Sequence, residues 1–452
     1  MASEINKKQI KAQKSTTRLI AFGFAMIILA GAFLLSLPIS NRSGHGNLIK
    51  SLFTATSATC VTGLVVADTY QNWTTFGQLV ILCLIQVGGL GFMTIGAFIS
   101  VLLKKRIGLH EREQLHESVN TLEIAGVVRL VKKIVQGTFC IELLGAVLFA
   151  FRFIPRFGIG RGVYFSIFHA ISAFCNGGFD LMGVNEAYSS LVAFEGDVLV
   201  NIVAAALILV GGIGFVVWDD VMRHKWHFRK YMLHSKIVIS MTVVLTVIGT
   251  ILFLITENNA SLAGMNSLEK VLGAFFSAVT PRTAGFNTVD TAALSNAGKV
   301  LTMVLMFIGG SPGSTAGGAK TTTITVLLFY AVAMITNRED INLFGRRLSD
   351  EVVKKANAVV AINFSLAIVA AVAIMVSQPL LHFEDVLFEV LSAIGTAGMT
   401  TGITRDLNTL SRIIIMILMY CGRLGSLSFA LVFAQKNASA SVRLPQEKII
   451  VG

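Results

Sequence analysis

The sequence predicts an all-α membrane protein of four span–pore-helix–span repeats, eight transmembrane helices around a pseudo-fourfold pore. Three observations predict it. Of 452 residues, 54% are hydrophobic and only 14% charged, with a mean hydropathy of +0.73. That is the balance of a chain whose stretches of about 20 apolar residues cross a bilayer several times. A short pattern, Thr59-Cys60-Val61-Thr62-Gly63, returns as Cys175-Asn176-Gly177-Gly178, Arg282-Thr283-Ala284-Gly285 and Gly395-Thr396-Ala397-Gly398, at intervals of 115, 107 and 113 residues. Each aligned glycine has a phenylalanine ten positions before it (Phe53, Phe168, Phe275, Phe388) and a large apolar residue directly after it (Leu64, Phe179, Phe286, Met399). Turn glycines occur at helix ends in any polytopic protein. Four in one register indicate four copies of a unit closing around an axis.

In chain order, residues 1–16 are polar and basic and are expected in the cytoplasm. The first repeat (17–127) has spans near 17–39, closed by Pro38, and 76–103. The second (128–232) has them near 134–154 and 198–218, the third (233–346) near 235–255 and 300–335, and the fourth (347–434) near 356–376 and 411–434; residues 435–452 form a polar tail. The first apolar run, Leu19 to Leu37, is too long for a cleavable signal and lacks an evident cleavage site. Five cysteines (Cys60, Cys83, Cys140, Cys175, Cys421) show neither metal-ligand spacing nor a disulfide framework.

The net charge of +12 would suit nucleic acid, but its placement suits a membrane. The N-terminus, the loops 104–133, 223–236 and 338–355, and the tail hold 25 of the 37 Lys and Arg; the opposite side holds 10. This bias puts both termini in the cytoplasm of a multi-pass plasma-membrane protein, with the glycine loops opening outward. The same charge is compatible with binding anionic lipid.

Ion dehydration gives such a unit its physical reason. A short helix entering part-way and ending in an extended turn can aim backbone carbonyls at an axis, where four turns replace the water around a K⁺-sized ion. Glycine supplies dihedrals that a side chain forbids, and the helix's negative C-terminal end favours a cation. The expected filter is Val61, Thr62, Gly63; Asn176, Gly177, Gly178; Thr283, Ala284, Gly285; and Thr396, Ala397, Gly398.

The second spans carry a mark of their own: Val87-Gly88-Gly89-Leu90-Gly91-Phe92, Val210-Gly211-Gly212-Ile213-Gly214-Phe215, Ile308-Gly309-Gly310 and Cys421-Gly422-Arg423-Leu424-Gly425. Close helix approach suffices to explain most of these glycines. The third unit departs from the rest. Gly309-Gly310-Ser311-Pro312-Gly313-Ser314-Thr315-Ala316-Gly317-Gly318-Ala319-Lys320 cannot hold a helix. Broken backbone at membrane depth implies a cavity to line, and the segment reads as a flexible gate below the filter. Arg423, an intramembrane arginine in place of a motif glycine, is expected to face a wet cavity and to set the barrier that the gate modulates.

Weaker signals remain two-sided. Asp68, Asp180 and Asp290, just past their filters, either concentrate cations at the outer mouth or serve as caps and solvated loop acids. His169 is expected to be a hydrogen-bonded pore-helix residue. Arg282 is expected to pair with an acid or with pore-helix carbonyls, and Glu142 to sit in an ion pair.

With these features the whole chain resembles the Trk/Ktr/HKT superfamily of cation transporters, and within it the bacterial Ktr potassium-uptake membrane subunits (KtrB/KtrD type). The resemblance is carried by Phe168-His169-Ala170-Ile171-Ser172-Ala173-Phe174, Thr280-Pro281-Arg282-Thr283-Ala284-Gly285-Phe286-Asn287 and Gly422-Arg423. It implies channel-like K⁺ uptake by a homodimer in the plasma membrane. It also implies a cytoplasmic ring of KtrA/KtrC-type subunits, which bind the nucleotide, and possible activation by Na⁺; no cofactor belongs to this chain. Glycine in all four filters implies K⁺ over Na⁺. Gly177 stands where the family has alanine and Cys60 where it has a threonine-like residue; carbonyl rings need neither side chain.

Two other classes compete. A Na⁺-coupled alternating-access symporter would show inverted repeats, whereas these units share one orientation. A membrane enzyme would need a convergent set of catalytic side chains, which the spans do not supply.

Overall fold

The computed structural model describes residues 2–91, 94–97, 127–184, 186–338, 340–433 and 447. Residues 92–93 and 98–126, which take in the end of the expected second span of the first unit, and, apart from Glu447, the tail from 434 lie outside the described residues.

The described residues are mostly helical. Its strands among the described residues form one two-stranded hairpin, β1 (Asn342–Leu343) paired antiparallel with β2 (Arg346–Arg347). The first unit has α1 (Ala2–Ser36), pore helix α2 (Leu48–Thr59), a single turn α3 (Thr69–Asn72) and α4 (Thr75–Leu90). The second has α5 (Val127–Phe157), pore helix α6 (Ile159–Phe174), α7 (Val198–Gly212) and α8 (Phe215–His224). The third has α9 (Leu233–Glu257), pore helix α10 (Ser267–Val279), α11 (Asn296–Ile308) and α12 (Thr321–Ile335). The fourth has α13 (Asp350–Ser377), pore helix α14 (Phe383–Gly395), α15 (Thr409–Leu424) and α16 (Ser426–Phe433).

The four first spans α1, α5, α9 and α13 are each long and apolar enough to cross a membrane. Large apolar side chains such as Phe22, Phe33, Leu143, Phe151, Ile255 and Phe364 remain exposed on them. In water such a surface would drive association; in a bilayer it is the lipid face. α1 starts well before the expected span at 17, so the basic N-terminal residues continue the helix instead of preceding it.

The expectation of continuous second spans in units one, two and four is not met. Each stops at one residue of similar backbone shape: Gly91 (φ 79°, ψ 130°), Gly214 (φ 98°, ψ 142°) and Gly425 (φ 84°, ψ 128°). The halves α7 and α8 diverge by 97°. These dihedrals are open to glycine and costly to other residues, so the third glycine of the motif is a break point. The third unit is interrupted over 309–320, as expected, and re-enters its helix at Lys320 with the same geometry, φ 85° and ψ 138°. A lysine therefore occupies the position that glycine fills in the other three units.

The earlier motif glycine does serve close packing. A Cβ on Gly88, Gly211 or Gly422 would collide with the carbonyl oxygen of Thr59, Phe174 or Ile394, each four residues before the aligned glycine of its own unit. The units close in a cycle: α2 packs on α15, α6 on α4, α10 on α7 and α14 on α11, so each pore helix leans on the second span of the preceding unit. Phe53, Phe168 and Phe388 are fully buried at these joints, while in the third unit Phe276 takes that place and Phe275 is half-buried.

Candidate functional site

The four pore helices deliver four turns of one shape. Two residues before each aligned glycine the backbone is left-handed, at Val61 (φ 54°), Asn176 (φ 60°), Thr283 (φ 77°) and Thr396 (φ 50°), and the glycines follow at φ 96°, 68°, 77° and 77°. A β-branched residue at positive φ is strained, and local hydrogen bonds hold it. Thr62 N, Gly177 N and Ala397 N donate to the carbonyls of Ser57 (2.8 Å), Ser172 (2.6 Å) and Ser392 (2.8 Å). Ser57 Oγ accepts from Gly63 N at 3.1 Å, and Ser172 Oγ from Phe179 N at 3.1 Å. Thr280 Oγ1 donates to Phe286 O in the third unit. A hydroxyl residue stands here in all four units, six residues before the glycine in three and five in the third, and it bonds the turn in the first three while Ser392 Oγ has no partner among the described residues; this recurrence at near-fixed register was the signal that the sequence reading missed.

The glycines meet in a ring. A Cβ on Gly178 would stand 3.0 Å from the Cα of Gly285 and of Gly63, and one on Gly285 would stand 3.0 Å from Gly178 Cα and 3.3 Å from Gly398 Cα. A Cβ on Gly398 would stand 3.0 Å from the Cα of Gly285 and Gly63, closing the circle. Each also faces the carbonyl of the residue before the next unit's glycine: Gly63 that of Gly177, Gly178 that of Ala284, Gly285 that of Ala397 and Gly398 that of Thr62. Four backbone oxygens thus accompany four glycines, in a space that any side chain would fill.

On one side of the ring lies a vestibule of about 120 Å³, lined by the four glycines with Asp68, Asp180, Asp290 and Arg405. The aspartates take the role of caps, and they also border the cavity. Asp68 accepts from Gln71 N (2.7 Å) and Tyr188 N (2.8 Å), Asp180 from Met182 N (2.8 Å) and Asp290 from Ala292 N (3.0 Å), while all three border the cavity. Burial, followed by the charge of Asp68, pushes the half-buried Asp180 carboxyl up to about 7. Arg405 lies over the Tyr188 ring at 4.4 Å.

On the other side, segment 309–320 sits against the ends of the turns. A Cβ on Gly317 would stand 2.9 Å from Thr396 Cγ2. Ser311 N donates to Gly212 O (3.1 Å) and Thr315 N to Gly211 O (3.4 Å), carbonyls at the end of α7 that have no partner in their own helix. Phe215 N donates to Gly313 O at 2.8 Å, and Lys320 Nζ to Ala316 O at 2.7 Å. Pro312 O comes within 2.6 Å of where a Cβ on Gly214 would stand. Ser314 Oγ donates to Ser311 O at 2.7 Å, and Gly318 (φ 79°) packs on Gly309. Arg423 does not simply face a wet cavity. It donates to Thr315 O, Gly88 O and Gly89 O, so it is tied to the segment and to the C-terminal end of α4.

Two expectations are corrected. Among the described residues Arg282 meets neither an acid nor a pore-helix carbonyl; it turns back to α9 and donates to Thr242 O (3.2 Å) and Thr246 Oγ1 (2.6 Å). Glu142 is in no ion pair among the described residues: it accepts from Gln86 Nε2 (3.2 Å) and meets Cys175 Sγ at 3.8 Å. Spacing along one chain could not show that neutral groups reach these positions first, Thr242 and Thr246 from another helix of the same unit and Gln86 from another unit. His169 is hydrogen-bonded within its helix as expected, Nδ1 to Phe165 O at 2.7 Å.

Comparison with known proteins agrees with this architecture. Residues 3–444 match the TrkH family, described as cation transport protein. The chain is 42% identical to the potassium/sodium uptake protein NtpJ of Enterococcus hirae, over 99% of this chain and 100% of that protein. It is 39% identical to the Ktr system potassium uptake protein B of Bacillus subtilis, over 96% of each. Its fold matches the crystal structure of the potassium transporter TrkH from Vibrio parahaemolyticus with a TM-score of 0.72 at 17% identity, covering 93% of this chain and 85% of that one. With its apolar helices, broken second spans and closed glycine ring, the chain belongs to the TrkH/Ktr family of multi-pass membrane cation transport proteins.

Proposed function

We propose that this protein is the membrane subunit of a Ktr-type system for K⁺ uptake and conducts in a channel-like way. The carrying observation is the ring of Gly63, Gly178, Gly285 and Gly398 with the carbonyls of Thr62, Gly177, Ala284 and Ala397 beside it. Oxygens fixed by hydrogen-bonded turns would replace an ion's hydration shell without collapsing onto the axis. Vestibule carboxylates would raise the local cation concentration. The segment from Gly309 to Lys320, held by Arg423, would be the gate. The names of the relatives support K⁺ as the ion.

A ligand shifts an equilibrium only by its differential affinity for the two states. A cytoplasmic nucleotide-binding ring of KtrA/KtrC type on a homodimer of this chain, with both termini cytoplasmic, would supply that difference for opening. Na⁺ would act as an activator. Growth of a K⁺-uptake-deficient bacterium on low K⁺ should depend on this chain. Deleting 311–318 should give high K⁺ flux independent of the regulatory subunit. Failure of the chain to support growth, with or without such a subunit, would remove the K⁺ reading; low, still-dependent flux after the deletion would place the gate elsewhere.

A further inference from the structure

Arg282 stands three positions before the third filter glycine and is 5% exposed, yet its guanidinium points away from the axis. Two of its nitrogens are satisfied by α9. The third, Nε, is buried without a hydrogen-bond partner among the described residues. Arg282 lines a cavity of about 20 Å³ shared with Thr242 and with both ends of the interrupted segment, Gly310 and Ser311 at its start and Thr321 just beyond it. Ser311 Oγ and Thr321 Oγ1 are 2.9 Å apart. One hydroxyl donates to the other, which leaves the second with its own O–H free.

A buried donor left unsatisfied is costly, and more so when charged. Ile208, Leu209, Ile213 and Val279 form part of the cavity wall, but a cavity of this size holds roughly one water where two to four polar groups can bind it, and Arg282 with the two hydroxyls supplies three. We propose that a single water in this cavity accepts from Arg282 Nε–H and bonds to the Ser311–Thr321 hydroxyl pair, so that the third filter and the root of the gate are joined. The inference rests on the filter-and-gate reading above. Arg282 is a positioning residue: it touches no permeating ion, but displacing the segment separates Ser311 from Thr321 and strands the arginine donor. The bridge therefore belongs to the closed arrangement and opposes opening.

The test is K⁺ uptake by cells carrying the full chain, normalised to protein in the membrane. Arg282→Lys keeps the charge but cannot serve α9 and the cavity together; Ser311→Ala removes a hydroxyl without touching Arg282. Each should raise the maximal rate about fivefold, the size of one ordinary hydrogen bond, with KM unchanged. The double variant should rise no further, because a bridge cut at one end is already open. If Arg282→Lys does not reach the membrane, Ser311→Ala and Thr321→Val carry the same cycle. Removing 313–316 provides the separating control: flux should be high, and Ser311→Ala should add nothing to it. High flux with a further fivefold rise, or single effects that multiply, overturns the bridge and leaves the gate standing. Low flux after the deletion overturns the gate and the bridge with it.

Discussion

Arg423 donates through Nη1 to the carbonyl of Thr315, 108 positions away in the chain, and this bond joins the fourth unit to the interrupted segment of the third. Through Nη2 the same guanidinium caps the end of α4, at Gly88 O and Gly89 O. A cation at a helix C-terminus is stabilised by the carbonyls left over there. The arginine thus holds the segment from a fixed point in the first unit.

Arg423→Ala should reach the membrane in normal amount and raise the maximal uptake rate. Hydrogen bonds to a charged group contribute roughly 1.5–3 kcal/mol, so loss of one from the closed arrangement corresponds to about a tenfold to hundredfold change. Radiotracer Rb⁺ uptake per molecule measures it. Poor delivery to the membrane with a normal rate per molecule would make the residue structural.

Gly285→Ser should weaken K⁺ affinity or admit Na⁺. The added Cβ meets Gly178 Cα at 3.0 Å and Ala397 O at 3.2 Å, with φ at 77°. Backbone on two sides cannot yield as a flexible side chain would. Unchanged kinetics for both K⁺ and Na⁺ would refute the filter assignment.

Lys320 carries a backbone shape that glycine carries in the other units. Residues held in such regions cost of order 1–3 kcal/mol. Lys320→Ala and Lys320→Gly both lose the bond to Ala316 O, but only glycine relieves the strain. The glycine variant should therefore be the more stable, by about 1 kcal/mol or more. Thermal unfolding of the two purified variants in one detergent decides it; equal midpoints would mean that the strain is absent.

Asp180 should make transport depend on pH. Its carboxyl is pushed up to about 7 by burial and by Asp68. The vestibule therefore gains a negative charge as pH rises through 7, and apparent K⁺ affinity should strengthen between pH 6 and 8. Stability should move the other way. Between its ordinary value of 3.8 and about 7 the folded protein binds the proton better than the unfolded chain, so stability falls across that window as pH rises. Asp180→Asn should flatten both dependences. A variant that keeps the wild-type pH profile of KM would place the titrating group elsewhere.

Periodicity carried most of the architecture. Four glycines at near-equal intervals, phenylalanines in register and a stretch unable to be helical were legible because each reports a local backbone requirement, and such requirements are written in adjacent residues. The four glycine turns and the interruption at 309–320 came from that kind of signal. The breaks at Gly91, Gly214 and Gly425 had the same kind of signal, obscured because glycines also serve close packing, and one motif does both.

The partners of long side chains were not legible. Arg282 reaches another helix of its own unit, while Glu142 and Arg423 reach other units, where the group that meets them depends on how the four repeats close around the axis. That closure is a property of tertiary packing: Gln86 and Glu142 belong to different repeats, and nothing in the spacing of either says that they face each other. The sequence by itself determined that this chain folds as four similar units in a membrane, because hydropathy and glycine register act over a few residues. Only the tertiary structure decided that Lys320 stands in a glycine's place and that Arg423 reaches Thr315, because those facts depend on backbone angles and on distances between segments far apart in the chain.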